Sequence, residues 1–534
     1  MGSGLSVSAL LAQAKKSSKS RDWITAVRSL QIVIGKFPAN KQARENWNML
    51  KKSAVPDLLV AAQQATSRQA WPEVETNLTC AIALGAQGTD VRLSLAHAYL
   101  EMGSAAQALE VVAPVAEADA HNIDALNLKG SALREMGKGE DSLVDLKTAL
   151  KLNETDARTL NSVGLTLRAM GNFERAADYF RMALRVEPDN PTIHNNLSQV
   201  TKNTNATDHI DQMKASLAKI GAHTEKSIPL HFALFKALDE AGDLDNAFKH
   251  LKSGNRLAKS ASGYDFKTDA IPYALSKLLF DGSKPLSIDV DPVDAPPVFV
   301  TGLPRTGTTL VERILSQSSD VTPCGELTIV PRAVGPLLTD IAGRKAKTIS
   351  AADIKKLRED MLKGFSYYVD DRHRPIDKMP PNFRWIGYLC LALPEAHIIH
   401  MNRSPISVAW SLYRHYFTGQ GIGYSNDFRD IVQLMALHRD MMNLWRTRFP
   451  DRIIDVQYDE LVQNPESVTK TLAHATGLTW SSAWVKPETA KSQIRTASAE
   501  QARQAIYTNS DDGWRKYQDH LAPLVDMLTA AEFL

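Results

Sequence analysis

Gly103, Gly137 and Gly171 each close a phrase ending in Met-Gly, and the interval between them is 34 residues both times. Small residues keep the same register. Ala62, Ala96, Gly130 and Gly164 stand seven positions before that turn, and Val74, Ala108, Ser142 and Ala176 five beyond it. A period of this length describes a stack of small units, none of which can bury its apolar face alone, so neighbours must pack in line. A chain of 534 residues holds two to four domains at roughly 100–200 residues each. The periodic part fills only the first half.

The register resembles the tetratricopeptide repeat, a helix–turn–helix unit in which small residues let paired helices approach. The clearest copy is Ala157 to Asn190, with Tyr179-Phe180 and the closing Pro188 where that pattern wants them; Gln87–Asn122 and Ile123–Asp156 follow closely. Ile228–Lys259 reads as another pair after a degenerate unit at Pro191–His223, and Ser6–Pro38 and Ala54–Gly88 as weaker ones. The resemblance implies six or seven repeats stacked as a right-handed solenoid with a concave face. Two uses of that face stay open: capture of an acceptor peptide, protein or glycan, and service as a scaffold or homodimer surface.

The 62 basic and 60 acidic side chains nearly cancel, which argues against nucleic acid or an anionic membrane as a partner. Cys80, Cys324 and Cys390 are scattered and odd in number, which suits a reducing compartment and points to the cytoplasm. No stretch approaches the roughly 18 consecutive apolar residues of a membrane span.

Near Ser260 the pattern changes. Gly263, Gly282, Pro285, Pro292, Pro296 and Pro297 mark a junction with room for at most one helix. Beyond it apolar strands alternate with helices: strands at Val298–Gly302, Ile376–Lys378, His397–Asn402 and Ile453–Gln457, helices at Thr308–Ser316, Ile354–Asp370, Pro405–Tyr416 and Asp430–Phe449. Such alternation predicts a parallel sheet covered on both faces, with ligands at the carboxyl ends of its strands. The expected fold class is therefore α plus α/β, an all-α solenoid over 1–260, a junction over 261–295 and a P-loop-like α/β domain with a central parallel sheet over 296–534.

The first strand runs into Gly302-Leu303-Pro304-Arg305-Thr306-Gly307-Thr308-Thr309 and then a helix. The turn's N–H groups and the positive end of the helix dipole converge where an anion can bind. The Gly302-x4-Gly307 spacing matches a P-loop, yet Thr308 stands where a nucleotide triphosphatase carries its lysine. The cation is Arg305, inside the loop. Further on, a strand delivers Arg403, with Ser404-Pro405 opening a helix and Ser411 two turns along it. A guanidinium and a hydroxyl so placed can hold one phosphate at two points; alone, the same residues read as a helix cap with a surface arginine.

Taken together and in this order, the two motifs resemble the PAPS-dependent sulfotransferases, in the branch that includes tyrosylprotein sulfotransferases and fusions to tetratricopeptide repeats. PAPS is 3′-phosphoadenosine 5′-phosphosulfate. The resemblance covers Pro296–Leu534 and implies that Arg305, Thr306, Gly307, Thr308 and Thr309 hold the phosphosulfate, while Arg403 and Ser411 hold the 3′-phosphate. It places the catalytic base at Glu326, twenty-one residues after Arg305, and puts Lys378 and Ser498 at the bridging oxygen and Tyr458 at the adenine. Without the family, Glu326 would read as a helix-start carboxylate and Ser498 and Tyr458 as turn and packing residues.

The implied reaction is in-line displacement, with PAPS as co-substrate and no metal. Protein tyrosine is the first acceptor expected, and a carbohydrate or small-molecule hydroxyl the alternative. Thr328 replaces an arginine that the tyrosylprotein enzymes keep two residues after the base, although Arg332 is present. Gly513 replaces a lysine before Trp514, leaving Arg515 and Lys516 as cations for the 3′-phosphate. A P-loop kinase and a catalytically inactive interaction protein are the remaining alternatives. A kinase would need a lysine at position 308 and a magnesium-holding aspartate.

Overall fold

Asp22, Asn40, Asp156, Asn172, Asn190 and Asp243 each precede a helix and accept a hydrogen bond from the backbone N–H three residues on. Those caps satisfy amides that the first helical turn leaves without partners. They open or divide successive helix pairs in a computed structural model that describes residues 6–202, 207–281, 290–344, 348–370, 372–417, 421–490 and 509–534.

Seven pairs follow in order among the described residues: α1 (Val7–Lys19) and α2 (Trp23–Lys36), α3 (Lys41–Ser67) and α4 (Trp71–Ala83), α5 (Thr89–Glu101) and α6 (Ala105–Ala118), α7 (Ile123–Glu135) and α8 (Gly139–Leu152), α9 (Ala157–Met170) and α10 (Phe173–Val186), α11 (Pro191–Val200) and α12 (Thr207–Ile220), α13 (Ile228–Glu240) and α14 (Leu244–Ser262). The small-residue register has a steric cause. A Cβ on Gly164 would lie 2.5 Å from the Phe180 ring, and one on Gly130 would lie 2.7 Å from Leu146.

The chain divides into two compact units, Met1–Leu133 with Val144–Leu152, and Arg134–Leu143 with Asn153–Leu534. In the first, the core is a string of small clusters, one around Leu30, Leu50 and Leu84, another around Trp71, Leu78 and Leu95. This is the pattern expected where each repeat touches only its neighbours.

The second unit is built differently. One continuous core joins Phe232, Phe235 and Leu251 of the last repeat pair, Phe280 of α15 (Lys267–Phe280), and Phe299, Ile398, Trp410 and Trp445 of the α/β part. Helix α13 is buried nearly all round, from Ile228 through Phe235, so repeat packing on one side alone could not cover it. Among its described residues the proline- and glycine-rich junction contains helix α15, and that helix is core: Ser276 Oγ lies 3.1 Å from Tyr388 Oη, and the Phe280 ring meets Tyr388 and Trp445 edge-on.

The sheet has five parallel strands in the order β2 (Val321–Pro323), β3 (Arg374–Asp377), β1 (Val298–Gly302), β4 (His397–Asn402), β5 (Ile453–Gln457). Alternate residues serve opposite faces, as the strand period requires. Phe299 and Ile398 enter the large core, whereas Val298, Val300, Ile399 and Met401 pack with Val311, Ile314 and Trp484 on the other side. Around the sheet lie α16 (Thr308–Leu315), α17 (Ile329–Arg344), α18 (Ala351–Phe365), α19 (Ile386–Ala392), α20 (Pro405–Tyr413), α21 (Phe428–Arg448), α22 (Tyr458–Gln463), α23 (Pro465–Thr476) and α24 (Ala522–Ala530).

Some expected elements shift. Strand β3 spans Arg374–Asp377 instead of 376–378, so Lys378 is the first residue beyond it, and α20 stops at Tyr413, short of Tyr416. Edge strand β2 is three residues long and ends in Pro323, too short to show alternation; α17 carries Pro331, Gly335 and Pro336, which hide its helical period. Among the described residues no helix is long and apolar enough to cross a membrane.

Candidate active site

Because the strands are parallel, their carboxyl ends share one edge, and the chain leaves every one of them through a residue marked out by sequence. Strand β1 leads to Arg305, β2 to Glu326, β3 to Lys378, β4 to Arg403 and β5 to Tyr458.

After β1 the backbone turns through Gly302 (φ 147°), Arg305 (φ 74°) and Gly307 (φ 98°). Neither glycine has room for a side chain: a Cβ would lie 2.6 Å from the Met401 carbonyl oxygen at Gly302 and 2.5 Å from the Tyr458 ring at Gly307. Thr306 Oγ1 donates to the Leu303 carbonyl at 2.7 Å and closes the turn. Gly307 precedes helix α16, and its carbonyl accepts from both Leu310 and Val311, so the amides of Thr308 and Thr309 lie in the first turn, where no helical acceptor exists. Arg305, Thr306, Thr308 and Thr309 are all buried.

Arg305 is a non-glycine residue in left-handed backbone, a conformation that persists only where its surroundings hold it. Arg403 Nη1 donates to the Arg305 carbonyl at 3.2 Å, and Arg305 Nε donates to Ser411 Oγ at 3.0 Å. The Arg403 guanidinium in turn lies 4.4 Å from the centre of the Tyr458 ring, a cation–π contact. Arg305, Gly307, Arg403, Ser411 and Tyr458 therefore form one contiguous group. His415 joins it by pairing Nδ1 with the Ser411 carbonyl at 2.7 Å; burial, with Arg305 and Arg414 nearby, holds its pKa well below the usual imidazole value.

The second group lies at the ends of β2 and β3. Lys378 is fully buried, and its Nζ donates a hydrogen bond to Glu326 Oε1, whose side chain is 44% exposed. The ammonium sits inside and the carboxylate at the opening. Two residues that sequence reasoning missed hold this turn. Glu312 of α16 accepts from the Gly325 amide at 3.0 Å, and Asp377 accepts from the Leu327 amide at 3.3 Å and from Asn382 Nδ2 at 3.0 Å. Burial pushes the Asp377 carboxyl up to about 8. Asp377 offered a faint signal as the acidic neighbour of Lys378; Glu312 offered none, since its partner lies across a loop.

Beneath the end of β4 is a cavity of about 180 Å³ that reaches Leu303, Thr306 and Arg403 and is walled by His400, His438 and Arg446. His400 bridges Asp455 (2.7 Å) and His438 (2.9 Å). Burial lowers the pKa of both imidazoles, while Asp455, despite its own burial, is held low by His400 and Arg446.

Ser498 lies outside the described residues. Of the C-terminal cations, Lys516 pairs with Asp239 of α13 at 2.6 Å and Arg515 lies over Trp514. Arg332 is in the first turn of α17 and donates its amide to the Thr328 carbonyl. Among the described residues no group of three or more His, Cys, Asp or Glu side chains is arranged to hold a metal ion.

Residues 296–482 match the sulfotransferase family, and residues 157–186 match the tetratricopeptide repeat. An uncharacterized protein of Aquifex aeolicus (strain VF5) is 32% identical over 56% of this chain and 41% of its own length. Protein-tyrosine sulfotransferase 1 of Danio rerio is 26% identical over 36% of this chain and 55% of its own. The chain thus spans about half the length of these curated relatives. Among solved structures, the sulfotransferase domain from the Synechococcus PCC 7002 olefin synthase aligns with 47% of this chain and 98% of its own at 20% identity and a TM-score of 0.33. The chain carries a sulfotransferase-family region alongside tetratricopeptide repeats.

Proposed function

We propose that this protein transfers the sulfuryl group of PAPS to an acceptor hydroxyl by in-line displacement. The observation that carries the reading is the adjacency of two groups at one sheet edge, an arginine-bearing anion cradle after β1 and a Lys378–Glu326 pair after the neighbouring strand ends. Arg305 and the loop amides through Thr309 bind the phosphosulfate. Arg403, Ser411 and Tyr458 engage the nucleotide, the first two selecting the 3′-phosphate.

Glu326 takes the proton of the acceptor hydroxyl as its oxygen bonds to sulfur. The bond from sulfur to the 5′-phosphate oxygen breaks, and its electron pair stays on that oxygen. Lys378 stabilises the charge gathering there, aided by Ser498; an ammonium has three donors, so it can keep Glu326 and still reach the leaving group. The products are a sulfate ester and adenosine 3′,5′-bisphosphate. Tyrosine in a peptide is the first acceptor to test and a sugar or small-molecule hydroxyl the second, because Thr328 removes one cation that would meet an acidic peptide. The free, buried Cys80, Cys324 and Cys390 support action in a reducing compartment such as the cytoplasm.

Titration calorimetry of adenosine 3′,5′-bisphosphate against ADP, without added metal, tests the donor site. Tight bisphosphate binding, weak ADP binding and loss of the preference in Arg403→Ala are expected. Equal binding of the two nucleotides, or ADP binding that requires magnesium, would replace this reading with a kinase-like one.

A further inference from the structure

Glu326 is partly open to solvent, and its carboxylate meets only the Lys378 ammonium among the described contacts. A flexible side chain at an opening is no better placed than the backbone that carries it. That backbone is held on both sides. The Gly325 amide donates to Glu312 Oε1, the Leu327 amide donates to Asp377 Oδ1, and the Gly325 carbonyl accepts from the Lys378 amide at 2.9 Å. Gly325 itself is in left-handed backbone, with φ 74°.

We propose that Glu312 and Asp377 are positioning residues for Glu326, a clamp of two side-chain carboxyl groups whose oxygens accept from the two amides that flank it. The inference rests on the reading of Glu326 as the base. Each half of the clamp comes from an element that carries another part of the site. Glu312 lies on α16, the helix whose first turn closes the phosphate cradle, and Asp377 ends β3 directly before Lys378. The clamp therefore fixes three things relative to one another: cradle, lysine and base. Glu312 reaches the Gly325 amide from the helix across the loop, which suits it for restraining a turn without secondary structure of its own. A reacting group displaced by about 1 Å loses on the order of a hundredfold in rate, so the effect should appear in turnover before it appears in binding.

The test compares Glu312→Ala and Glu312→Gln with the wild type. Three quantities are read: amide hydrogen exchange at Gly325, affinity for adenosine 3′,5′-bisphosphate, and the kcat and KM for release of inorganic sulfate from PAPS with water as acceptor. In Glu312→Ala the Gly325 amide should exchange at least tenfold faster and kcat should fall tenfold or more. Its KM and bisphosphate affinity should stay within twofold. Glu312→Gln should recover kcat to within threefold, since its amide oxygen still accepts from Gly325. If the alanine variant does not fold, Glu312→Asp, one methylene too short to reach, takes its place with the same expectations.

Faster exchange with unchanged kcat would overturn the inference, as would equal losses of kcat and nucleotide affinity, which mean that Glu312 merely supports the cradle. Wild-type rates in Glu326→Gln would remove the base, and the clamp's purpose with it, while leaving the donor site standing. A wild type that binds no bisphosphate, or that turns over PAPS with neither water nor a phenol as acceptor, would overturn the transferase reading itself.

Discussion

Arg305 Nε donates a 3.0 Å hydrogen bond to Ser411 Oγ, joining residues 106 positions apart. The arginine belongs to the loop after β1 and the serine to the helix after β4, strands that are neighbours in the sheet. The loop after β1 and the helix after β4 are therefore one hydrogen-bonded unit, and a change in either should be felt by the other.

Ser411→Ala removes an Arg305 support and, on the proposed reading, a phosphate donor as well. Affinity for adenosine 3′,5′-bisphosphate should fall about tenfold, the worth of one hydrogen bond to a charged group. Calorimetry checks this, and an unchanged affinity would show that Ser411 serves only the fold.

The Lys378–Glu326 pair is asymmetric, with the lysine buried and the glutamate open. Glu326→Ala leaves a buried ammonium without its partner and should cost about 3 kcal/mol of stability, whereas Lys378→Met leaves an exposed carboxylate and should cost far less. Denaturant unfolding of both variants and of the double variant distinguishes them; the double variant should recover most of the loss. Sulfuryl transfer should be lost in all three.

Asp377 gives the fold a pH dependence of definite sign. Its native carboxyl keeps its proton up to about 8, whereas an unfolded aspartate releases it near 4. The native state binds more protons across that window, so the wild type loses stability as pH rises through it, and below about 4 the residue contributes nothing. Asp377→Asn should remove this loss, helped by Asn382, whose buried Oδ1 has no hydrogen-bond partner and can accept the new amide after a flip. The variant should gain ~2 kcal/mol or more on the wild type between pH 5 and pH 8, read from urea melts at the two values. A constant difference would mean that Asp377 is ionised throughout.

A cut at the junction expected from sequence should destroy the fold of the α/β part. Asn255 Nδ2 of α14 donates to the Tyr413 carbonyl, Phe232 of α13 stacks on Tyr416, and Asp239 receives both Lys516 and Tyr517. A fragment starting at residue 261 should show no cooperative unfolding transition, and one starting at Asn153 should retain it and bind bisphosphate. If the concave face of the repeats captures a peptide acceptor, this longer fragment should also show a raised KM for that peptide with kcat unchanged. Circular dichroism melts and steady-state kinetics on the two fragments check both points.

How much was legible follows from how local each signal is. The repeat period, the strand–loop–helix with its glycines, and Arg403 ahead of Ser404-Pro405 are all written in contiguous residues, and the corresponding helix pairs, turn and helix start are found in the structure. Lys378 and Glu326 could be named only through resemblance, because nothing adjacent to either marks its chemistry. Helix α13 read as one more repeat, and its second buried face showed only in an apolar count too high for an array helix.

The sequence by itself determined the helix pairs, four of the five strands in the described sheet and the residues that follow them, because period, caps and turn residues act over a few positions. Only the tertiary structure decided that Arg305 bonds Ser411, that Glu312 and Asp377 grip the turn around Glu326, and that α13 to α15 share one hydrophobic core with the α/β part. Those relationships join residues from 13 to 158 positions apart. They exist because a parallel sheet gathers its strand ends at one edge and because a helix apolar on every side must be buried on every side.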